Sequence, residues 1–298
     1  MPDRIVVPQS YLDQPGWWNG NGKAWLAALP ETVDGQLRRW RLQVDGPVMH
    51  GSNALVIPVA RAGERLVLRL SQPDSRAAEE IAALQFWAGR GTARLLEADP
   101  AVSAMVLERI EPGTPASLLP VPECMRVVGA VMRRIAVSPP PQGVPTTGEM
   151  VRRRCAQFEG EWERLGRPFP VEVLRAAEAT VSDLGTPRED LAVDGDLHAQ
   201  QILKATREPW LVVDMLLYRG DIEYDLARVL WDRIDDMPTD ADVLASLDLL
   251  VASAGLDSQR ARTWVYFRTV DYWLWGLGHG LTEDPVRCAR LIGALAQA

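Results

Sequence analysis

The chain changes character at Glu111-Pro112-Gly113, and that change is its strongest constraint on fold. Before it, short apolar runs rich in Val, Ile and Leu alternate with turn residues. Arg41–Val44, Asn53–Ala60, Arg65–Leu70, Ala93–Glu97 and Ser103–Ile110 read as strands. One amphipathic helix interrupts them at Ser75–Gly89, with Ile81, Leu84 and Trp87 on one face and Glu79-Glu80 near its start. A further helix is expected near Lys23–Leu29, ending at Pro30. After the change, helical periodicity dominates: Pro122–Val137, Glu149–Arg164, Val171–Leu184, and from Tyr224 onward with breaks near Pro238, Gly255 and Pro285. Only Leu191–Val193, Ile202–Ala205 and Trp210–Asp214 break that pattern, as short strands around a loop. The expected architecture is α+β and bilobal. A small β-rich lobe with one main helix covers residues 1–110, and a larger, mostly helical lobe covers residues 111–298, hinged near Arg109–Pro112. A length of 298 residues suits two domains.

Charge narrows the function classes. With 32 basic and 40 acidic residues the net charge is −8, a poor match for nucleic acid or an anionic membrane surface. A cationic small molecule suits it better. No run approaches the ~18 apolar residues of a membrane span, and no apolar leader core follows Val6-Val7. Cys124, Cys155 and Cys288 form no CxxC pair, which argues against a zinc site and a disulfide framework. A cytoplasmic location is therefore expected. The segment Gly16–Lys23 has the wrong spacing for a P-loop, and Ala24 stands where Ser or Thr must meet magnesium. It reads as a turn and helix start.

The chemistry concentrates in Val193-Asp194-Gly195-Asp196-Leu197-His198-Ala199-Gln200-Gln201 and in Trp210-Leu211-Val212-Val213-Asp214. Asp196 and Asp214 each close a short apolar run, which sets their carboxylates at strand mouths. Gln201 adds an amide five residues after the first. A carboxylate base, an amide and a second carboxylate for magnesium form the set that phosphoryl transfer needs.

Here the sequence resembles the aminoglycoside phosphotransferases, whose loop reads His-Gly-Asp-x-His-x-x-Asn and whose next strand ends in Ile-Asp. It is most similar to their branch of aminoglycoside and hydroxyurea resistance kinases, which includes streptomycin phosphotransferases. Ala24–Pro30, Ile57-Pro58-Val59, Glu80–Leu84, Trp87, Gly89-Arg90-Gly91, Arg94-Leu95-Leu96 and Leu107-Glu108-Arg109 add to the likeness, which runs from about residue 22 past 230. The resemblance implies a protein-kinase-like fold using ATP (or GTP) with magnesium. It gives Asp196 the role of base, Asp214 and Gln201 the metal, and Glu80 with Arg69 the phosphate clamp. His198 would brace the loop.

Four positions depart from that pattern. Arg69 replaces the third-strand lysine, Gln201 the asparagine and Asp194 the loop histidine, and Met215-Leu216 follow Asp214. Arginine is planar and forked, so the exchange for lysine is not conservative at a phosphate. Between the first strands, Gly51-Ser52-Asn53 reads either as a nucleotide-covering turn offering N–H groups or as a simple hairpin turn. These departures leave a second reading open, a kinase-fold binding protein that does not transfer phosphate.

The acceptor is expected to be a hydroxylated, cationic small molecule. Glu223, Asp225, Asp232, Asp235, Asp236, Asp240 and Asp242 form a candidate acidic wall. Capping explains Asp235–Asp242 better, because they flank a helix start at Pro238-Thr239. Asp225 reads as a loop buttress or an acceptor contact. Trp273 and Trp275 read as core residues or as platforms for a sugar ring or an amine.

Overall fold

The computed structural model describes residues 5–13, 20–51, 53–72, 76–137 and 139–297. The chain divides into two compact units, Met1–Gly113 and Thr114–Ala298.

The first unit contains α1 (Gln9–Leu12), α2 (Gly20–Arg39), β1 (Gln43–Val44), β2 (Met49–His50), β3 (Ala54–Arg61), β4 (Glu64–Ser71), α3 (Ala77–Trp87), β5 (Leu95–Asp99) and β6 (Ala104–Glu108). The strands form one antiparallel sheet, ordered β1-β3-β4-β6-β5, with β2 also on β3. Side chains alternate across a strand. Leu55, Ile57 and Val59 of β3 and Leu66, Leu68 and Leu70 of β4 therefore share one face, buried with Leu29 and Val33 of α2 and with Trp40. Arg69 lies between Leu68 and Leu70 and so points to the other face of β4. Pro58 splits the sheet edge. It has no N–H for a neighbour and lies across from the interruption between β1 and β2, where Asp45 N–H donates to its carbonyl at 2.8 Å.

Proline does not end α2 as expected. The helix passes through Pro30 to Arg39. The lost hydrogen bond is offset by packing, because Leu29 and Val33 on both sides of Pro30 are fully buried against the sheet.

β7 (Pro112–Pro115) carries the chain into the second unit. There follow α4 (Val121–Ile135), α5 (Thr147–Arg164), α6 (Val171–Ala179), α7 (Val181–Leu184), β8 (Leu191–Val193), β9 (Ile202–Ala205), β10 (Trp210–Val212) and β11 (Tyr218–Gly220). The helices α8 (Leu226–Arg233), α9 (Asp240–Ala254), α10 (Ser258–Gly278) and α11 (Glu283–Ala296) complete it. Helix α5 opens with a reciprocal cap, Thr146 Oγ1 accepting from Glu149 N–H and Glu149 accepting from Thr146 N–H. Phe158 and Trp162 of α5 and Trp264, Phe267, Val270 and Leu274 of α10 form a common core with Phe169 and Tyr224. Helices α4 and α9 meet closely at Gly129, where a methyl group would stand 2.7 Å from Ser253 Cβ and 2.8 Å from the Leu250 carbonyl.

Two small ladders set the central loop. β8 pairs with β11, and β9 with β10. Asp221, just after β11, is fully buried and gathers five donors: the N–H groups of Arg188 and Glu189, Arg260 Nε and Nη2, and Trp264 Nε1. It ties the loop before β8 to α10.

Candidate active site

Residues 194–201 join β8 to β9, and Asp196 stands at their tip. Its side chain is half exposed, at 51%. The turn beneath it requires glycine. Gly195 has φ +89°, and a Cβ there would lie 2.1 Å from the Tyr218 ring. The Gly195 N–H donates to Asp225 Oδ2 at 3.1 Å. Asp225 is 3% exposed and so supports the loop from below. Of the two roles expected for Asp225, the bond from Gly195 N–H to Oδ2 is that of a loop buttress, while Oδ1 is buried without a partner.

Asp194 occupies the position where a histidine was anticipated from the resemblance. It is fully buried, accepts the Leu216 N–H at 2.9 Å and leaves Oδ2 without a partner. Burial pushes its carboxyl well above the usual range, and the neighbouring Asp225 charge pushes it further. Burial raises Asp225 as well. Asp196 differs from both in being open to solvent.

His198 is held neutral. Burial, then the nearby Arg228 guanidinium, drives its pKa down to about 3. Gln201 spans the loop instead of extending outward. Its Oε1 accepts the His198 N–H at 3.2 Å, and its Nε2 donates to the Asp214 carbonyl at 3.4 Å. Asp214 follows β10 at φ +59°, a left-handed conformation that aspartate tolerates, and is partly exposed.

Magnesium takes oxygen donors, commonly one or two carboxylates completed by phosphate and water. The partly exposed Asp214 carboxylate fits that description. Gln201 fits less directly, since one lone pair of Oε1 already receives the His198 N–H. Among the described residues no group of three or more His, Cys, Asp or Glu side chains is gathered for a metal. The donor set suits a metal shared with phosphates, not one caged by protein alone.

In the first unit, Arg69 Nη1 lies 2.5 Å from Glu80 Oε2 and donates to Ser71 Oγ at 3.1 Å. Both side chains are more than nine-tenths buried. The pair forms as the sequence implied. At the turn that reads either as a nucleotide cover or as a simple hairpin, Gly51 N–H donates to the Ala54 carbonyl at 2.9 Å and closes the β2–β3 hairpin. Asn53 is exposed, and Ser52 lies outside the described residues.

The aromatic candidates have occupied faces. Trp273 packs on Phe169 at 4.5 Å between ring centroids. Trp275 stacks with Tyr272 at 5.3 Å and with His279 at 4.2 Å. Three members of the candidate acidic wall are engaged in pairs or a cap. Asp235 pairs with Arg287, Asp236 with Arg233, and Asp242 caps the start of α9 with Thr239.

Two arginines escaped the sequence reading. Arg228 Nε lies 3.4 Å from Asp196 Oδ1. Arg268 lies with its guanidinium 4.1 Å from the Tyr224 ring centroid and donates to Asp271 Oδ2 at 2.8 Å. Arg228 follows Asp225 by three residues, one helical turn along the same face. That spacing was the available signal.

Comparison with known proteins identifies the family and the fold. The family model described as aminoglycoside/hydroxyurea antibiotic resistance kinase matches residues 39–280. Streptomycin 6-kinase of Streptomyces glaucescens is 35% identical over 89% of this chain and 88% of its own length. Hydroxyurea phosphotransferase of Kitasatospora aureofaciens is 34% identical over 95% and 84%. Among solved structures, a thermostable mutant of aminoglycoside phosphotransferase APH(4)-Ia, in ternary complex with ADP and hygromycin B, superposes with a TM-score of 0.63. It is 17% identical, covering 89% of this chain and 98% of that one, and shows that the fold is protein-kinase-like. The chain therefore belongs to the aminoglycoside/hydroxyurea antibiotic resistance kinase family, whose members are phosphotransferases.

Proposed function

We propose that this enzyme transfers the γ-phosphoryl group of ATP or GTP to a hydroxyl of an aminoglycoside-like acceptor. The observation that carries the reading is the contrast among three neighbouring aspartates. Asp194 and Asp225 are buried beneath the loop, while Asp196 is raised above them, half exposed and next to a guanidinium. Such a carboxylate is placed to accept a proton from an incoming hydroxyl.

The acceptor oxygen forms a bond to the γ-phosphorus as the bond to the nucleoside diphosphate breaks, and the hydroxyl proton passes to Asp196. A bound nucleotide would supply the phosphoryl group, and magnesium would neutralise its charge. Asp214 would be the carboxylate that holds that metal. Gln201 holds the Asp214 backbone to the loop and has one amide lone pair left to offer. Arg69, fixed by Glu80, presents a guanidinium to phosphate. An aminoglycoside acceptor is favoured by the streptomycin 6-kinase relative and by the −8 charge of the chain.

The test is transfer of labelled γ-phosphate to streptomycin and to hydroxyurea, with each nucleotide and magnesium. Turnover that disappears in Asp214→Ala supports the reading. A binding protein without phosphotransfer gives nucleotide-dependent thermal stabilisation but labels neither acceptor.

A further inference from the structure

We propose that Arg228, from α8, is a positioning residue for Asp196, and that Trp231 and Tyr272 hold Arg228 in place. The proposal rests on reading Asp196 as the base. Three observations converge on it. Arg228 Nε is buried, makes no hydrogen bond and lies 3.4 Å from Asp196 Oδ1, close enough for a small shift to complete the bond. Its guanidinium carbon lies 5.9 Å from the Trp231 ring centroid and 5.6 Å from that of Tyr272. Those two rings are nearly parallel, 4.4 Å apart at 10°, and Trp231 is 1% exposed. An arginine on a rigid aromatic wall has little rotamer freedom left to lose when it orients a carboxylate.

Other groups that act electrostatically on this cluster include Asp194, Asp225 and Asp214, which are acidic, and Arg268 of α10, which is engaged by Asp271. Beside Arg228 itself stand Asp232, Tyr272 and Cys288. Arg228 thus brings a guanidinium to 3.4 Å from Asp196. The pairing favours the Asp196 rotamer that faces α8. Misplacement of a reacting group by about 1 Å can cost roughly 10²-fold in rate.

The test has two arms. In the first, thermal melting is measured for wild type, Arg228→Gln, Asp196→Asn and the double variant. Pairing predicts that Arg228→Gln lowers Tm clearly in the wild-type background and by less than half as much in the Asp196→Asn background. Equal shifts in the two backgrounds overturn the proposal. In the second arm, transfer to streptomycin or hydroxyurea is followed. Arg228→Gln should lower kcat by about 10²-fold while the nucleotide KM stays within twofold, and Arg228→Lys should recover part of the loss. An unchanged kcat, or a fall that Arg228→Lys does not relieve, overturns the positioning role. Wild-type protein that labels neither acceptor contradicts the phosphotransfer reading instead, and the melting cycle still decides the pairing.

Discussion

At the scale of single residues, the site is built from carboxylates kept apart by environment. Glu223 shows the cost of burial plainly. It is 5% exposed, its Oε2 has no partner, and burial raises its pKa to about 7. An unfolded glutamate titrates near ~4.3, so between about pH 4 and 7 the folded chain holds a proton that the unfolded chain has lost. Stability therefore falls as pH rises through that window and levels off above it. Glu223→Gln should match wild type in Tm near pH 4 and exceed it at pH 8, and an equal Tm at pH 8 would contradict the assignment. Asp194 follows the same sign, since its folded pKa is raised too. Asp194→Asn should keep the bond from the Leu216 N–H and melt higher than wild type at pH 8. Asp194→His, which restores the family's residue, should melt lower, because the site is fully enclosed. Asp194 was visible in the sequence as a departure, but its burial was not. Nothing in Val-Asp-Gly-Asp distinguishes the enclosed aspartate from the exposed one until β8 and β11 pair and Asp225 closes underneath.

At the scale of elements, caps and close approaches decide stability. The Thr146–Glu149 box starts α5, and Thr146→Ala should cost about 1 kcal/mol in denaturant unfolding. A loss below a few tenths would show that the cap is redundant. Gly129 lets α4 approach α9, and the added methyl of Gly129→Ala meets backbone as well as side chain. The expected loss is about 1–3 kcal/mol, read as a lower unfolding midpoint at unchanged slope. The amphipathic helix α3 was legible from Ile81, Leu84 and Trp87, which are all buried. The continuation of α2 through Pro30 was not, because local propensity opposes it and only the sheet's apolar face outweighs that preference. Trp273 and Trp275 were equally ambiguous at this scale. Helical spacing shows which residues share a face, but not that Phe169, Tyr272 and His279 pack against the rings.

At the scale of the whole molecule, two compact units each carry part of the proposed chemistry, Arg69 with Glu80 in the first and Asp196 with Asp214 in the second. The motif order along the chain made the fold readable, because the β-rich segment, the loop with Asp196 and the strand before Asp214 follow one another as they do in the family. The partners of those residues were not readable. Arg228, Arg268 and Asp221 reach the site or its supports from helices and turns whose contacts depend on tertiary packing. Magnesium nucleotide should stabilise the folded protein by about 2.7 kcal/mol at a hundredfold excess over Kd, and Asp214→Ala should remove the magnesium dependence of that shift. A shift that persists without magnesium would place the nucleotide elsewhere. The central claim is that Asp196 takes the acceptor's proton. It is tested most directly by single-turnover transfer of labelled phosphate to streptomycin, comparing wild type with Asp196→Asn under saturating magnesium nucleotide. The account predicts that transfer slows by at least about 10²-fold while nucleotide binding, followed by melting, is preserved. Transfer at the wild-type rate by the asparagine variant would contradict it.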